Sequence, residues 1–406
     1  MQNFNRRDFL KFSGAASLLT LPALVNCSKN EDSPINTHNI SDPWLEINLN
    51  NIAWNLSEIR QLVSPRPVMA VIKANAYGHG LVEVARFLEK QKVEFLAVGN
   101  IAEAVKVKES GVKTPVLNFG PFSSQDAEQL VRLNISQSVY TDGIERLSEA
   151  ARKLNKTAKV HIKVDTGLGR VGVPYYKALL FIKKVADLPG ISIEGIFTTF
   201  TEDEEFDKIQ LQRFLKTCQA SKEYGINVGL RHAVSSAGLL SFPAAFLDMV
   251  RPGITIYGHY PSDKEYLARK INLKPAMSLK AKVMYVKNLR PGDAVSYHRK
   301  FVAKKETRVA TLPVGYSDGY PYQVAEKGEA IIQGKRWKII AAVTANHTTL
   351  NVTGVNKIKI GDEAVLFGKQ NSTEVTAENI ANWVGTSVYK IVIGMNSLLK
   401  RFYIGK

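Results

Sequence analysis

The chain has 406 residues, 45% of them hydrophobic, which is more than one typical domain needs and enough to form large cores. Its 54 basic and 37 acidic residues give a formal net charge of +17. The sequence contains no long Lys/Arg run, nucleic-acid-binding motif or interleaved aromatic and basic residues. We therefore expect no nucleic-acid partner and interpret the charge as a basic surface that attracts anionic envelopes or substrates.

Residues 1–33 have the features of an export signal with a lipoprotein-like tether. Asn5–Lys11 contains two adjacent arginines, and the apolar stretch Phe12–Val25 behind it is too short to span a bilayer as a mature helix. Cys27 follows, although Asn26 stands where a lipoprotein junction usually has a smaller residue. The segment predicts export to the periplasm, with a lipid anchor at Cys27 as a further expectation.

From residue 67 to residue 258, short apolar runs alternate with amphipathic segments. Eight runs are predicted strands: Val68–Ile72, Phe95–Gly99, Val116–Phe119, Gln137–Tyr140, Val160–Val164, Ile193–Phe197, Leu230–Ala233 and Phe246–Val250. The segments between them have helical periodicity: Leu81–Gln91, Ile101–Glu109, Gln125–Leu133, Gly143–Leu154, Tyr176–Ala186 and Phe206–Glu223. The alternation predicts an α/β fold with a TIM-like (β/α)8 barrel over residues 43–275, whose catalytic groups lie at the carboxyl ends of the strands.

The pattern changes near Lys274. The remaining residues, 276–406, form short alternating strands, which predict an all-β C-terminal domain that the N-terminal strand of the chain joins. The predicted strands are Ser278–Val286, Arg308–Leu312, Glu329–Ile332, Trp337–Val343, Leu350–Val352 and Ala364–Phe367.

The first predicted strand ends in a single lysine, Lys73, within the segment AVIKANAYGHG at 70–80. Desolvation at the mouth of a barrel lowers the pKa of an amine and makes it nucleophilic toward an aldehyde cofactor. Tyr77, four residues on, can offer a hydroxyl to a phosphate. On spacing alone, a solvated lysine that closes an ordinary strand remains the alternative.

Other strand ends carry a coherent polar set. These residues are Lys163 at the end of the fifth strand, Arg170 in the loop after it, Ser236 after the seventh, and Arg251, Gly253 and Ile254 after the eighth. The loops after strands seven and eight are the usual phosphate site of such barrels. The Ser236 hydroxyl and the backbone amides of Gly253 and Ile254 can donate to phosphate oxygens.

Three motifs resemble those of alanine racemases. They are the segment at 70–80, the sequence DAVSY at 293–297 and the sequence PVGYSDGY at 313–320. The resemblance covers nearly all of Pro43 to Tyr403, in the right order. It implies a fold-type III enzyme with pyridoxal 5'-phosphate (PLP) as cofactor, an amino-acid substrate and a homodimer with shared active sites.

The resemblance also implies residue roles, none of them as a metal ligand. Lys73 forms a Schiff base with PLP and is one racemisation base, and Tyr297, reaching across a dimer interface, is the base on the opposite face. Arg251 faces the pyridine nitrogen, where its charge opposes protonation and suppresses side reactions. Further implied roles are phosphate binding by Tyr77, Ser236, Gly253 and Ile254, substrate contact by Arg170, Tyr316 and Ala345, and support of Arg170 by Lys163, a lysine that many relatives carbamylate.

The chain departs from the family pattern at several positions. Thr199 replaces a histidine that links Tyr297 to Arg251 in the family, and Ala345–Asn346 replaces methionine and aspartate. Two further changes are Ser235 for asparagine and Ser397 for a tyrosine that narrows the site in some members. These changes predict a wider substrate pocket and resemble the periplasmic broad-spectrum amino-acid racemases, whereas Lys163 is typical of ordinary alanine racemases.

The leading interpretation is an exported PLP-dependent racemase that interconverts L- and D-alanine and also other amino acids. Two alternatives stay open. Another fold-type III enzyme, such as a D-amino-acid aldolase, dehydratase or decarboxylase, would need a different second group in place of Tyr297. A PLP-binding protein that has lost catalysis is the other alternative, and Thr199 is the evidence for it.

Overall fold

The computed structural model describes residues 42–405. The predicted export signal and Cys27 lie outside this range. Within it, every helix is too short or too polar to cross a bilayer.

The described residues form twenty strands and twelve helices. The strands are β1 (Trp44–Asn48), β2 (Met69–Val71), β3 (Phe95–Val98), β4 (Val116–Asn118), β5 (Ser136–Val139), β6 (Ala158–Asp165), β7 (Val173–Pro174), β8 (Ile191–Phe197), β9 (Leu230–His232), β10 (Met277–Lys282), β11 (Tyr285–Leu289), β12 (Ala294–Val295), β13 (Phe301–Val302), β14 (Thr307–Leu312), β15 (Glu329–Ile332), β16 (Lys335–Ile340), β17 (Thr348–Asn351), β18 (Glu363–Gln370), β19 (Thr373–Val375) and β20 (Lys400–Ile404). The helices are α1 (Leu49–Val63), α2 (Lys73–Tyr77), α3 (Leu81–Lys90), α4 (Ile101–Glu109), α5 (Ser124–Arg132), α6 (Ile144–Lys153), α7 (Ala178–Asp187), α8 (Glu204–Glu223), α9 (Ser236–Ser241), α10 (Asp263–Ala268), α11 (Ala377–Val384) and α12 (Val388–Ile393).

The first sheet is parallel and has the order β2-β3-β4-β5-β6-β8-β9, with β7 beside β6. Most side chains of β2 to β6 are buried, as expected when helices cover one face of a parallel sheet and the barrel core covers the other. This confirms the TIM-like fold. Because parallel strands end at the same rim, the residues that follow β2, β6, β8 and β9 meet there.

The eighth predicted strand, Phe246–Val250, is wrong. The segment makes only an isolated parallel bridge between Val250 and Val68, and Leu247 has a φ of 50°, outside the extended region. The barrel still closes here, because the amide of Met69 donates to the carbonyl of Val250 at 2.9 Å. One left-handed residue therefore shortens the strand without opening the barrel.

The second sheet is mostly antiparallel and has the order β11-β14-β17-β16-β15-β18-β10-β1-β20, with β19 beside β18. The strand β1 pairs antiparallel with β10 and parallel with β20, so the first described strand lies in the C-terminal sheet. The expected β domain is confirmed, and it also contains the helices α11 and α12. The predicted strand Ser278–Val286 is wrong in detail, because the segment forms two strands, β10 and β11.

Candidate active site

A cavity of about 630 Å³ lies at the carboxyl ends of the barrel strands, a size typical of small-molecule sites. It brings together seven of the residues singled out from the sequence: Lys73, Tyr77, Lys163, Arg170, Ser236, Arg251 and Gly253. A larger groove of about 750 Å³ is lined mainly by the end of α8 and the residues that follow it, and contains none of the seven. The chemistry therefore lies in the smaller cavity.

Lys73 follows β2 and begins the short turn α2. The next three residues have φ angles of 52–55°, a left-handed conformation that is unfavourable for residues with a Cβ. The Glu103 carboxylate offsets this by accepting from the amides of Asn75 at 2.8 Å and Gly99 at 3.0 Å. Burial and the nearby Arg170 lower the pKa of Lys73, against an opposing effect of Glu103, so more of the amine is neutral and nucleophilic.

A group of hydrogen-bond donors lies at another part of the cavity. The Ser236 hydroxyl oxygen accepts from the amide of Gly253 at 2.9 Å. Tyr77 packs its ring on Tyr257 with 5.1 Å between centroids, and a Cβ at Gly253 would overlap the Tyr77 hydroxyl oxygen. Glycine is therefore required for the hydroxyl to lie over the backbone. Ile254 follows Gly253 and its side chain is fully buried.

Arg251 places a buried charge beside the cavity and is only 5% exposed. Its guanidinium donates to Nδ1 of His232 at 2.9 Å and to the carbonyls of Thr198 at 2.8 Å and Ala233 at 2.9 Å. It also lies 5.2 Å from the Phe197 ring centroid. Burial lowers the pKa of Arg251, yet arginine remains protonated in proteins. These three acceptors are neutral, so the positive charge is available to a ligand.

Lys163 adds positive charge above the same ring, and Arg170 adds a further cation to the cavity. The Lys163 amine is 5.3 Å from the Phe197 centroid, and its side chain is nearly buried. Burial, then the charges of Arg251 and Arg170, lower the pKa of Lys163 to about 8. Arg170 itself is exposed on the loop after β6, where a guanidinium can bind a carboxylate.

These residues fit PLP. Lys73 supplies an amine for its aldehyde, and Tyr77, Ser236 and Gly253 supply hydroxyl and amide groups for its phosphate. Arg251 supplies a fixed cation for the ring. The Gly253 cradle is the structural observation that carries this fit, because any larger residue would displace a phosphate donor.

Three predicted site residues lie elsewhere in the chain. Tyr297 is 76% exposed and Tyr316 is 55% exposed, and neither they nor Ala345 line the cavity formed by the described residues. Tyr316 and Ala345 do lie together, since the amide of Tyr316 donates to Thr344 and that of Ser317 to Ala345, both at 3.0 Å. In one described chain, the predicted site residues of the cavity are therefore separate from Tyr297, Tyr316 and Ala345.

Tyr389, on α12, lines the cavity and was missed in the sequence. Burial raises its pKa. No strand-end pattern marks it, because it comes from a helix of the C-terminal region. Ser397, by contrast, lines a different groove with Arg401 and Tyr403. Within the described chain Ser397 therefore does not border the cavity, so its effect on the width of the site stays a prediction, and Tyr389 places an aromatic residue at the cavity wall.

Of the other residues that differ from the family pattern, some line the cavity and others do not. Thr199 and Ser235 both line the cavity, and the Thr199 carbonyl accepts from the Gln210 amide at 3.2 Å. Asn346 is exposed and donates to the Ser317 hydroxyl at 2.8 Å. Of these substitutions, Thr199 and Ser235 are therefore the two that border the cavity of a single chain.

Comparisons with known proteins agree with the geometry. The family model "Alanine racemase, N-terminal domain" matches residues 47–261, and "Alanine racemase, C-terminal domain" matches residues 276–403. The chain is 38% identical over 369 residues to an alanine racemase of Desulforamulus reducens, covering 89% of this chain and 99% of that protein. It is 37% identical over 368 residues to the enzyme of Clostridium tetani, covering 89% and 95%.

Solved structures show the same likeness. An alanine racemase of Clostridium difficile 630 has a TM-score of 0.85 at 34% identity, over 90% of this chain and 96% of that one. An alanine racemase of Bacillus anthracis with bound L-Ala-P has a TM-score of 0.83 at 30% identity, over 90% and 96%.

Replacing Tyr77 tests the phosphate end of the cavity. We expect Tyr77→Phe to weaken PLP binding about 10- to 100-fold, because a hydrogen bond to a charged group contributes about 1.5–3 kcal/mol. The measurement is fluorescence titration of the cofactor-free protein with PLP. Tyr257→Phe is the matched control, since it removes a hydroxyl that donates to the Val71 carbonyl instead. Equal affinities of the two variants would contradict the assignment.

Proposed function

The chain belongs to the alanine racemase family, whose members are PLP-dependent isomerases, and from this premise we propose that it interconverts L- and D-alanine with Lys73 and Tyr297 as the two bases. The observation that carries the proposal is the position of Lys73. Its amine, with a lowered pKa, shares one cavity with phosphate donors and a buried cation. Two bases on opposite faces of the substrate are what racemisation requires.

Each side chain has a distinct task in this mechanism. PLP, when bound, supplies an aldehyde for the substrate amine and a conjugated ring that acidifies the α-proton. Arg170 binds the substrate carboxylate. The Lys73 amine takes or returns the α-proton on one face, and the Tyr297 hydroxyl does so on the other. Arg251 keeps its proton, and its charge opposes protonation of the pyridine nitrogen.

Lys163 supports the arginine that holds the carboxylate. A pKa of about 8 leaves roughly a tenth of this amine neutral at pH 7, and the fraction rises with pH. The neutral amine can add carbon dioxide, which would replace a positive charge between Arg170 and Arg251 with a negative one. We propose this carbamate for Lys163, because it would remove the repulsion among the three cations.

The second base comes from a second copy of the chain. Tyr297 is 76% exposed and does not line the cavity of its own described chain, and Tyr316 is also mainly exposed. We propose a homodimer in which these residues and Ala345 complete the partner's cavity. An exposed tyrosine on the turn between β12 and β13 suits an interface, since aromatic residues are enriched at interfaces.

Mixing two inactive variants tests the shared site. Lys73→Ala and Tyr297→Phe should each lose racemisation, because each removes one base. Their mixture should recover about a quarter of the wild-type rate, since about half of the dimers are mixed and each has one intact site. The measurement is the rate of D-alanine formation after subunit exchange, followed by native mass spectrometry. Complete exchange without recovered activity would mean that Tyr297 acts within its own chain or not at all.

The range of substrates depends on the cavity wall. Thr199, Ala345 and Asn346 are smaller or less charged than the family residues, which favours larger amino acids, whereas Tyr389 fills part of the cavity. We propose that serine and methionine are racemised as well as alanine. A difference of one or two heavy atoms in a pocket changes specificity about 10- to 200-fold, and we expect reductions within this range.

Chiral chromatography of L-amino acids incubated with residues 34–406 measures this range. Thr199→His should raise turnover on alanine, because it restores the partner of Tyr297, and should leave the order of substrates unchanged. Tyr389→Phe is the control at another lining residue of the same cavity. Turnover of alanine alone, with no product from the other amino acids, would contradict the wider range.

Cofactor binding without racemisation is the second candidate, favoured by Thr199 in place of the family histidine. It predicts bound PLP with no loss of the α-deuterium from labelled L- or D-alanine. Exchange of the deuterium with inversion supports the racemase, whereas deuterium loss accompanied by pyruvate or aldehyde formation supports another fold-type III reaction.

We further propose that the protein is exported, on the evidence of the arginine pair and apolar stretch in residues 1–33. Replacing both Arg6 and Arg7 by lysine should retain the protein in the cytoplasm, measured by cell fractionation and immunoblotting. Cys27→Ser is the companion variant, and we expect it to release exported protein from the membrane. Unchanged export of the double-lysine variant would contradict a role of the arginine pair in export.

A further inference from the structure

A chain of buried hydrogen bonds continues from Arg251 through the interior of the barrel. Arg251 contacts Nδ1 of His232 at 2.9 Å, and Nε2 of His232 lies 2.9 Å from Nδ1 of His161. Nε2 of His161 is in turn 3.2 Å from Oε2 of Glu194. Both histidines are completely buried, whereas the Glu194 side chain is 18% exposed. These hydrogen bonds thus connect the cavity to a partly buried carboxylate.

Glycine at position 195 makes this series of hydrogen bonds possible. The strand β8 lies between β6 and β9, and His161, Gly195 and Leu230 are paired across the three strands. A Cβ at Gly195 would lie 2.5 Å from Nδ1 of His161, so any other residue would push that ring away. Without a side chain on the middle strand, the rings of His161 and His232 approach to 5.1 Å between centroids.

The carboxylate of Glu194 is well held at the end of the chain. Lys159 lies 3.4 Å from its other oxygen, and the Ser136 hydroxyl donates to Oε2. These bonds, together with His161, lower the pKa of Glu194 to about 2 despite the opposing effect of burial. Glu194 is therefore ionised and can only accept hydrogen bonds.

Only one assignment of protons satisfies every atom. Arg251 has only N–H donors, so Nδ1 of His232 must accept and its proton must reside on Nε2. That N–H donates to Nδ1 of His161, whose own proton on Nε2 donates to Glu194. Burial lowers the pKa of both histidines, so both rings are neutral. The Glu194 carboxylate thus sets the tautomer of His161, and His161 and the Arg251 guanidinium set the tautomer of His232.

We propose that Glu194 and His161 are positioning residues for Arg251, because they hold His232 in the tautomer that accepts from the guanidinium. The inference rests on the proposed role of Arg251 beside the cofactor ring. With a neutral amide at position 194, His161 and His232 can both reverse their tautomers. His232 then presents an N–H to Arg251, and two donors facing each other repel. The guanidinium loses one of its three acceptors and shifts from the ring.

The variant Glu194→Gln tests this with little change in shape, and Lys159→Met is its matched control. The control removes the ion pair at Glu194 but keeps the carboxylate. In the holoenzyme, nitrogen-15 NMR of the histidine rings should show that His161 and His232 carry their protons on Nε2 in the wild-type and Lys159→Met proteins. In a fraction of the Glu194→Gln molecules, the same two rings should carry the proton on Nδ1.

The second measurement is the partition between racemisation and half-transamination, in which the alanine amino group passes to PLP and pyruvate leaves. We expect Glu194→Gln to release about five- to tenfold more pyruvate per racemisation, because a displaced Arg251 opposes pyridine protonation less. Lys159→Met should match the wild type. A role confined to stability would lower the melting temperature of both variants without changing this ratio.

The outcomes separate this inference from the proposed function. Unchanged histidine tautomers in Glu194→Gln, or an unchanged ratio of pyruvate to racemised alanine, would overturn the positioning role. Absence of racemisation by the wild-type protein would overturn the proposed function instead, and the tautomers would still be measurable in that protein.

Discussion

The burial of a guanidinium that is hydrogen-bonded to neutral acceptors is the constraint on which the rest of the site depends. Transfer of a charge from water into a protein interior is unfavourable by many kcal/mol unless the charge is fully hydrogen-bonded. Arg251 meets that requirement with the carbonyls of Thr198 and Ala233 and with His232. The two carbonyls lie just beyond the ends of β8 and β9. A parallel barrel brings such strand ends to one rim, so the fold itself supplies the acceptors.

Much of the barrel and of its cavity could be predicted from the sequence. Lys73, Lys163, Ser236 and Arg251 follow apolar runs, and a parallel barrel brings the ends of such runs together. Tyr389 could not be found in this way, because it reaches the cavity from a helix of the C-terminal region. The predicted strand at 246–250 failed for a local reason, the left-handed conformation of Leu247, which an apolar pattern does not reveal.

Tertiary packing places Ser397 away from the cavity of its own described chain. This position was expected near the substrate because some family members have a tyrosine there, but in the described chain the side chain lines another groove with Tyr403. The His161–Glu194 contact was equally hidden. It depends on a register shift between β6 and β8 next to His161 and on Gly195 between the two histidine-bearing strands, and neither pattern is visible in hydrophobic periodicity.

Two groups of residues bear on Arg251, and substitutions in the two groups should affect different parts of the proposed mechanism. In the proposed mechanism, loss of the histidine that Thr199 replaces affects the side of Arg251 that would face Tyr297. His232, His161 and Glu194 hold the opposite side from within the barrel, through contacts that do not involve position 199. The cation can thus keep its place when the link to Tyr297 is lost. If the proposed mechanism holds, substitution at Thr199 should act on the proton transfer proposed for Tyr297, whereas substitution at Glu194 should act on the environment of the cofactor ring.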